Sequence, residues 1–192
     1  MKAILSAIES GKVTDVEPIF VLSNRAEAQG LRIAREKFGV RTEILGDNGL
    51  KGWNYDKHLM SIFQKYEMSS VNSLICLAGF MRLLSPKLVS HFRNRILNIH
   101  PSLLPSFPGL HAQRQALRYG VKVTGCTVHF VDEGLDSGPI MIQKSTPVLN
   151  SDTEESLSAR ILEDEHLIYP EAIKLIADDR IKISGRKVLL KR

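Results

Sequence analysis

Only two cysteines occur in the 192 residues, and aromatic side chains make up 6% of them with a single tryptophan. A disulfide framework is therefore not what holds this fold, and Cys76 and Cys126, each inside an apolar strand-like run, read as core thiols of a reducing cytoplasm. No apolar run approaches the roughly 18 residues that a membrane span needs. The opening Met1 to Glu9 stretch is too short and too soon interrupted, by Glu9 and Gly11, for a secretory signal. Internal repeats, low-complexity tracts and linkers rich in Pro, Gly or Ser are absent. So is a G-x-S-x-G elbow, which removes one common route to covalent catalysis. What remains is 43% apolar and 24% charged, an ordinary balance for one compact domain large enough to bury a core.

The net charge of +5 suits anionic small molecules, or else nucleic acid. Much of it gathers at the end, in Arg180, Lys182, Arg186, Lys187, Lys191 and Arg192. These alternate with Ile181, Ile183, Val188 and Leu189 around Ser184-Gly185, which predicts a terminal hairpin over 178–192 with a solvated face. No aromatic residue interleaves there to stack on bases, so neither nucleic acid nor membrane is expected as a partner.

Strand-like and helix-like segments alternate, the pattern of an α/β protein with a doubly wound, mainly parallel sheet and helices on both faces. Strands are expected at 17–23, 41–45, 72–80, 95–98, 125–131 and 140–148. Helices are expected at 26–38 with Gly39 as C-cap, at 55–66, at 111–119 and at 153–177 behind a Ser151-Asp152 capping region. Pro170 is expected to kink or interrupt the last helix. Met1 opens directly into a further helical pattern, with Ile4 and Ile8 four apart and Gly11 ending it.

The chemistry concentrates in Asn98-Ile99-His100-Pro101-Ser102-Leu103-Leu104-Pro105 and in Asp136 of the later Glu133 to Pro139 stretch. Asn98 and His100 are two apart at the end of an apolar strand, so both point to one face. Pro101 stops the ladder and leaves the pair at the strand's carboxyl edge, where open sheets bind ligands. The rival reading of His100 is a strand-end histidine satisfied by main chain. For Asp136 the rival is an Asx-turn before Gly138, and both roles can hold. The Asp132, Gly134, Asp136 spacing lacks the glycine and glutamate of a calcium loop, so no metal is expected.

NIHPSLLPSFPG, the upstream AGFMRLLSP (78–86) and the downstream DEGLDSGP together resemble the folate-dependent formyltransferases, from Met1 to about Lys187. The Phe107-Pro108-Gly109 continuation is similar to the branch that acts on phosphoribosylglycinamide in purine synthesis. The resemblance implies a formyltransferase fold in one domain, 1–192. It implies 10-formyltetrahydrofolate as donor and phosphoribosylglycinamide as acceptor. His100 would be the general acid, Asn98 would donate to the developing oxyanion, and Asp136 would raise the pKa of His100 and organise a water. Met81, Arg82, Leu83, Leu84 and Val89 would form one folate wall, and Val131, Asp132, Glu133, Gly134 and Asp136 the other. Glu165 would bind the acceptor ribose, while Thr127, His111 and His129 would stand behind the reacting groups.

The chain departs from that family in three places. Leu162 replaces a polar phosphate-side residue, and an arginine on the folate side has no counterpart in 51–56. The family also begins earlier, with a central strand and a Gly-Ser-rich phosphate loop, so this chain is expected to start after that loop, from a misassigned start, and to leave a gap in the sheet. Three other readings share parts of the pattern. They are a hydrolase of the same donor, a tRNA formyltransferase, and a folate-binding remnant without activity.

Overall fold

A computed structural model describes residues 1–191; Arg192, the end of the expected tail, lies outside them. The elements run α1 (Lys2–Glu9), β1 (Phe20–Ser23), α2 (Gln29–Phe38), β2 (Arg41–Ile44), α3 (Trp53–Lys65), β3 (Ile75–Leu77), α4 (Pro86–His91) and β4 (Ile96–His100). They continue through α5 (Ala112–Tyr119), β5 (Val123–Phe130), β6 (Ile140–Pro147) and α6 (Glu154–Ala177) to the hairpin β7 (Ile181–Ser184) and β8 (Lys187–Leu190). The helices cover both faces of the strands, as the α/β reading expected, and the terminal hairpin forms where the alternating pattern put it. Among the described residues, no helix is long and apolar enough to cross a membrane.

The sheet is mixed rather than mainly parallel. β3 pairs with β4 in parallel, but β5 is antiparallel to both β4 and β6. For β5 and β6 the reason is length: the 131–139 connection is shorter than the dozen or so residues that a parallel crossover requires. β6 meets β8 in parallel through Ile140 and Lys187, and β7 closes the edge antiparallel to β8. β1 and β2 form a separate parallel pair, so the ladder is broken between β1 and β3. Both strands nevertheless feed one apolar cluster, with Phe20 and Leu22 from β1 and Ile75 and Leu77 from β3 packed on Tyr55, Phe63, Phe92 and Ile96. The expected gap in the sheet is therefore present. It also explains why the long 72–80 run yields only three strand residues, since β3 has a ladder partner on one side alone.

Two corrections concern helices. α6 runs unbroken through Pro170, whose ring is buried beside Ile168 and Tyr169. The carbonyl that this proline leaves without a donor is that of His166, four residues back on the exposed side and open to water. The N-cap of α6 is Thr153, whose hydroxyl accepts from the Ser156 N–H while Ser156 returns a bond to the Thr153 N–H. Asp152 instead braces this turn through Leu149 N–H, Ser156 and Arg160.

The main core lies between α6 and the sheet: Leu157, Ile161 and Ala172 meet Leu97, Cys126, Val128 and Phe130. Strand alternation then turns Asn98, His100, Thr127 and His129 to the opposite face. Burial pushes both thiols up to about 12, which fits their reading as core residues.

Candidate active site

The register brings the expected centre together from two strands and two loops. Asn98 lies opposite His129 across β4 and β5, and His100 lies opposite Thr127. His100 and His129 are almost fully buried, with 5% and 2% of their surfaces exposed, whereas Asn98 is half-buried.

His129 Nδ1 is 3.0 Å from the Phe130 carbonyl, and Asn98 Nδ2 is 3.3 Å from His129 Nε2. A carbonyl and an amide NH2 at the two nitrogens select one tautomer. Nδ1–H donates to Phe130, and bare Nε2 accepts from Asn98. Burial holds His129 below the usual imidazole range, against smaller opposing effects of the Phe130 bond and of Asp136. A neutral ring is what this tautomer requires. One Asn98 amide hydrogen is thus occupied, and the other remains free for a substrate oxygen.

His100 is held differently. Its Nε2 is 2.9 Å from the Phe107 carbonyl, and its Nδ1 is 3.4 Å from Asp136 Oδ2. Both nitrogens face oxygen acceptors, a setting that only the doubly protonated ring satisfies in full. Asp136 Oδ2 also accepts the Gly109 N–H at 2.8 Å, and Oδ1 lies 3.8 Å from His129 Nε2. The carboxylate therefore sits between the two imidazoles with its side chain 12% exposed. Its backbone takes a φ of 48°, a left-handed conformation that Asp tolerates better than most residues.

Around this centre, Thr127 is fully buried and donates to the Ser102 carbonyl at 2.7 Å. It stands behind the loop after His100, as expected. His111 does not reach the centre. It takes a left-handed conformation before the first turn of α5, and its largely exposed ring faces Glu154 at 4.0 Å. The helix start turns it away. Glu165 lies on α6, against the other face of the sheet from Asn98 and His100. Burial raises its carboxyl to about 7, opposed by the nearby Met1 ammonium.

The expected folate segment follows β3. Met81 and Leu83 are exposed by 78% and 71%, free to line a slot, while Leu84 and Val89 turn into the core beneath. Arg82 turns away from that opening. Its guanidinium stacks on the Tyr55 ring at 4.0 Å and bonds to Asp47 and the Leu50 carbonyl. Asp56, buried in the first turn of α3, accepts the Ser85 N–H at 2.5 Å. Tyr55 and Asp56 thus grip the segment at both ends. On the opposite wall, Val131 packs inward, and Asp132 accepts from Gly134 N–H and Ser137, leaving Glu133 exposed. Tyr55 and Asp56 were not singled out from sequence, since they act from a distant helix; Phe107 and Gly109 were noticed only as part of the Phe107-Pro108-Gly109 motif, and their main-chain contacts to His100 and Asp136 come from the structure.

Comparison with known proteins agrees with this geometry. A family model described as Formyl transferase matches residues 1–173. The chain is 42% identical over 185 residues to phosphoribosylglycinamide formyltransferase of Escherichia coli (strain K12), covering 95% of this chain and 84% of that protein. Among solved structures, glycinamide ribonucleotide transformylase 1 from Symbiobacterium toebii superposes with a TM-score of 0.92 at 48% identity, over 100% of this chain and 88% of that one. A formyltetrahydrofolate deformylase from Pseudomonas syringae pv. tomato str. DC3000 has a TM-score of 0.88 at 25% identity, over 100% of this chain and 61% of that one.

Proposed function

Because this chain belongs to the formyl transferase family, we propose that it moves a formyl group from 10-formyltetrahydrofolate to the amine of 5'-phosphoribosylglycinamide, a step of purine biosynthesis. The observation that carries this reading is the joint one of 42% identity over 95% of the chain and a centre of Asn98, His100 and Asp136 with donors left for a reacting carbonyl. One formyltransferase domain spanning 1–192 is the acting unit, its setting is the cytoplasm, and both partners are small molecules.

The formyl oxygen gains charge as the amine attacks its carbon, and a preorganised donor is worth most at that point. The free Asn98 amide N–H supplies one, fixed by His129 so that it needs no reorganisation. His100, exchanging its Phe107 contact for the substrate, supplies a second donor and the proton that the departing folate nitrogen takes up. Asp136 keeps the ring oriented and its charge compensated, and it accepts through water the proton that the amine sheds. The folate ring lies between Met81–Leu84 and 131–136, with Arg82 acting as an anchor of its own segment.

Hydrolysis of the same donor is the competing reading, motivated by the deformylase of similar fold. The two separate on one assay. Consumption of 10-formyltetrahydrofolate should require phosphoribosylglycinamide, since binding the acceptor is what holds the amine against the formyl carbon. Equal consumption with and without acceptor supports the hydrolase. His100→Ala, Asn98→Ala and Asp136→Ala should each cost about 10²–10³-fold in kcat, and far less than additively in combination. A His100→Ala protein of near-normal rate would refute the assignment.

A further inference from the structure

We propose that Gln143 is a positioning residue of this site, reaching across from β6 to hold the segment that follows His100; the proposal rests on the reaction assigned above. His100, Thr127 and Gln143 form one row across three strands. His100 is paired with Thr127, and Thr127 with Gln143, so all three project from the same face.

The amide of Gln143 donates twice, to the Leu104 carbonyl at 2.8 Å and to Thr127 Oγ1 at 3.0 Å. The Thr127 hydroxyl in turn donates to the Ser102 carbonyl and accepts the Leu104 N–H at 3.1 Å. Every capacity of that hydroxyl is used, and three main-chain groups between His100 and Pro105 are tied by two side chains. Ser102 then donates to the Ser106 carbonyl, next to Phe107, whose own carbonyl receives His100 Nε2. A continuous hydrogen-bonded path therefore runs from Gln143 to the imidazole.

Ser102 and Leu104 are buried, whereas Gln143 lies on an exposed stretch of β6. Its apolar stem contributes little to the core, and its amide hydrogens go to the Leu104 carbonyl and to the Thr127 hydroxyl that itself holds the loop. Without them the buried Leu104 carbonyl has no donor, and the segment must shift to find one. A shift of a fraction of an ångström at a reacting group is enough to slow catalysis while leaving ligand contacts elsewhere intact.

Gln143→Met keeps the shape of the side chain and removes both donors; Gln143→Lys restores a donor of similar reach. The measurements are kcat, KM for each substrate, melting temperature, and the ring-nitrogen NMR signals of His100 in the ligand-free protein. For the Met variant we expect kcat to fall about tenfold, both KM values to stay within twofold, and the His100 signals to move. The Lys variant should recover a good part of kcat. An unchanged kcat, unchanged His100 signals, or a loss confined to KM would overturn the proposal, as would a Met variant that merely melts earlier at full rate. If the unaltered protein forms no product from phosphoribosylglycinamide, the reaction assignment fails, and the His100 signals alone then decide whether Gln143 holds the loop.

Discussion

Glu165→Gln should make the protein more stable at pH 8 and much less so near pH 5. Burial raises the Glu165 carboxyl to about 7 from its ordinary 4.5, the Met1 ammonium opposing. Between those values the folded chain holds a proton that the unfolded chain has released. The stabilising contribution is therefore complete below the unfolded value and is lost as pH rises through the folded one. A gap of that size corresponds to about 3 kcal/mol at most. Partial exposure reduces it, so a difference of about 1–3 kcal/mol is expected at pH 8, out of a total of roughly 5–15. Glutamine has the same shape and cannot ionise, so no cavity confuses the comparison. Urea denaturation of both proteins from pH 5 to pH 8 reads the difference directly. With a slope of about 1–3 kcal/mol per molar urea, the two midpoints should separate by several tenths molar or more as pH rises. Curves that stay parallel over the whole range would refute the reasoning, because they would mean that Glu165 ionises in the fold as freely as in the unfolded chain.

Gly138→Ala should destabilise the protein by more than about 2 kcal/mol and depress kcat, since the new Cβ would lie 1.9 Å from the Phe130 carbonyl oxygen, a main-chain atom fixed at the start of the β5–β6 pairing. Gly134→Ala, whose Cβ would meet side-chain atoms alone, the Ser137 hydroxyl oxygen at 2.1 Å foremost, should be milder because that side chain can rotate; equal melting temperatures for the two variants would contradict this. Cys76 and Cys126, pushed up to about 12 by burial, should resist a disulfide reagent at pH 8 until denaturant is added, and rapid labelling of the native protein would count against the packing described.

Much of the centre was legible because its logic is local. Asn98 and His100 share a face by strand alternation, Pro101 ends their strand, and Asp136 stands out by its resemblance motif. The C-cap at Gly39 and the terminal hairpin follow from equally short-range rules. Where the sequence reading erred, a long-range fact decided. The antiparallel turn of β6 onto β5 followed from the length of the 131–139 loop. His111 was turned to Glu154 by a helix start whose dihedral no motif encodes. Nor does any motif show that Tyr55, from the preceding helix, captures the Arg82 guanidinium. The β1–β3 break shortened strands whose composition alone promised more.

The devices that orient the reacting side chains are mostly main-chain atoms, so the residue types alone do not disclose what they do. The Phe130 carbonyl sets the tautomer of His129, the Phe107 carbonyl takes the outer nitrogen of His100, and the Gly109 N–H anchors Asp136. Any residue offers these groups; what matters is the conformation that aims them. Phe107 and Gly109 both have positive φ, 55° and 79°, so the loop is committed to a shape that an ordinary run of L-residues avoids. That shape is held from outside, by Thr127 and Gln143 on two neighbouring strands. The identity of the reacting groups is thus written in two short stretches, around Asn98-Ile99-His100 and around Asp136, while their alignment depends on a cross-strand row that exists only once the sheet has formed.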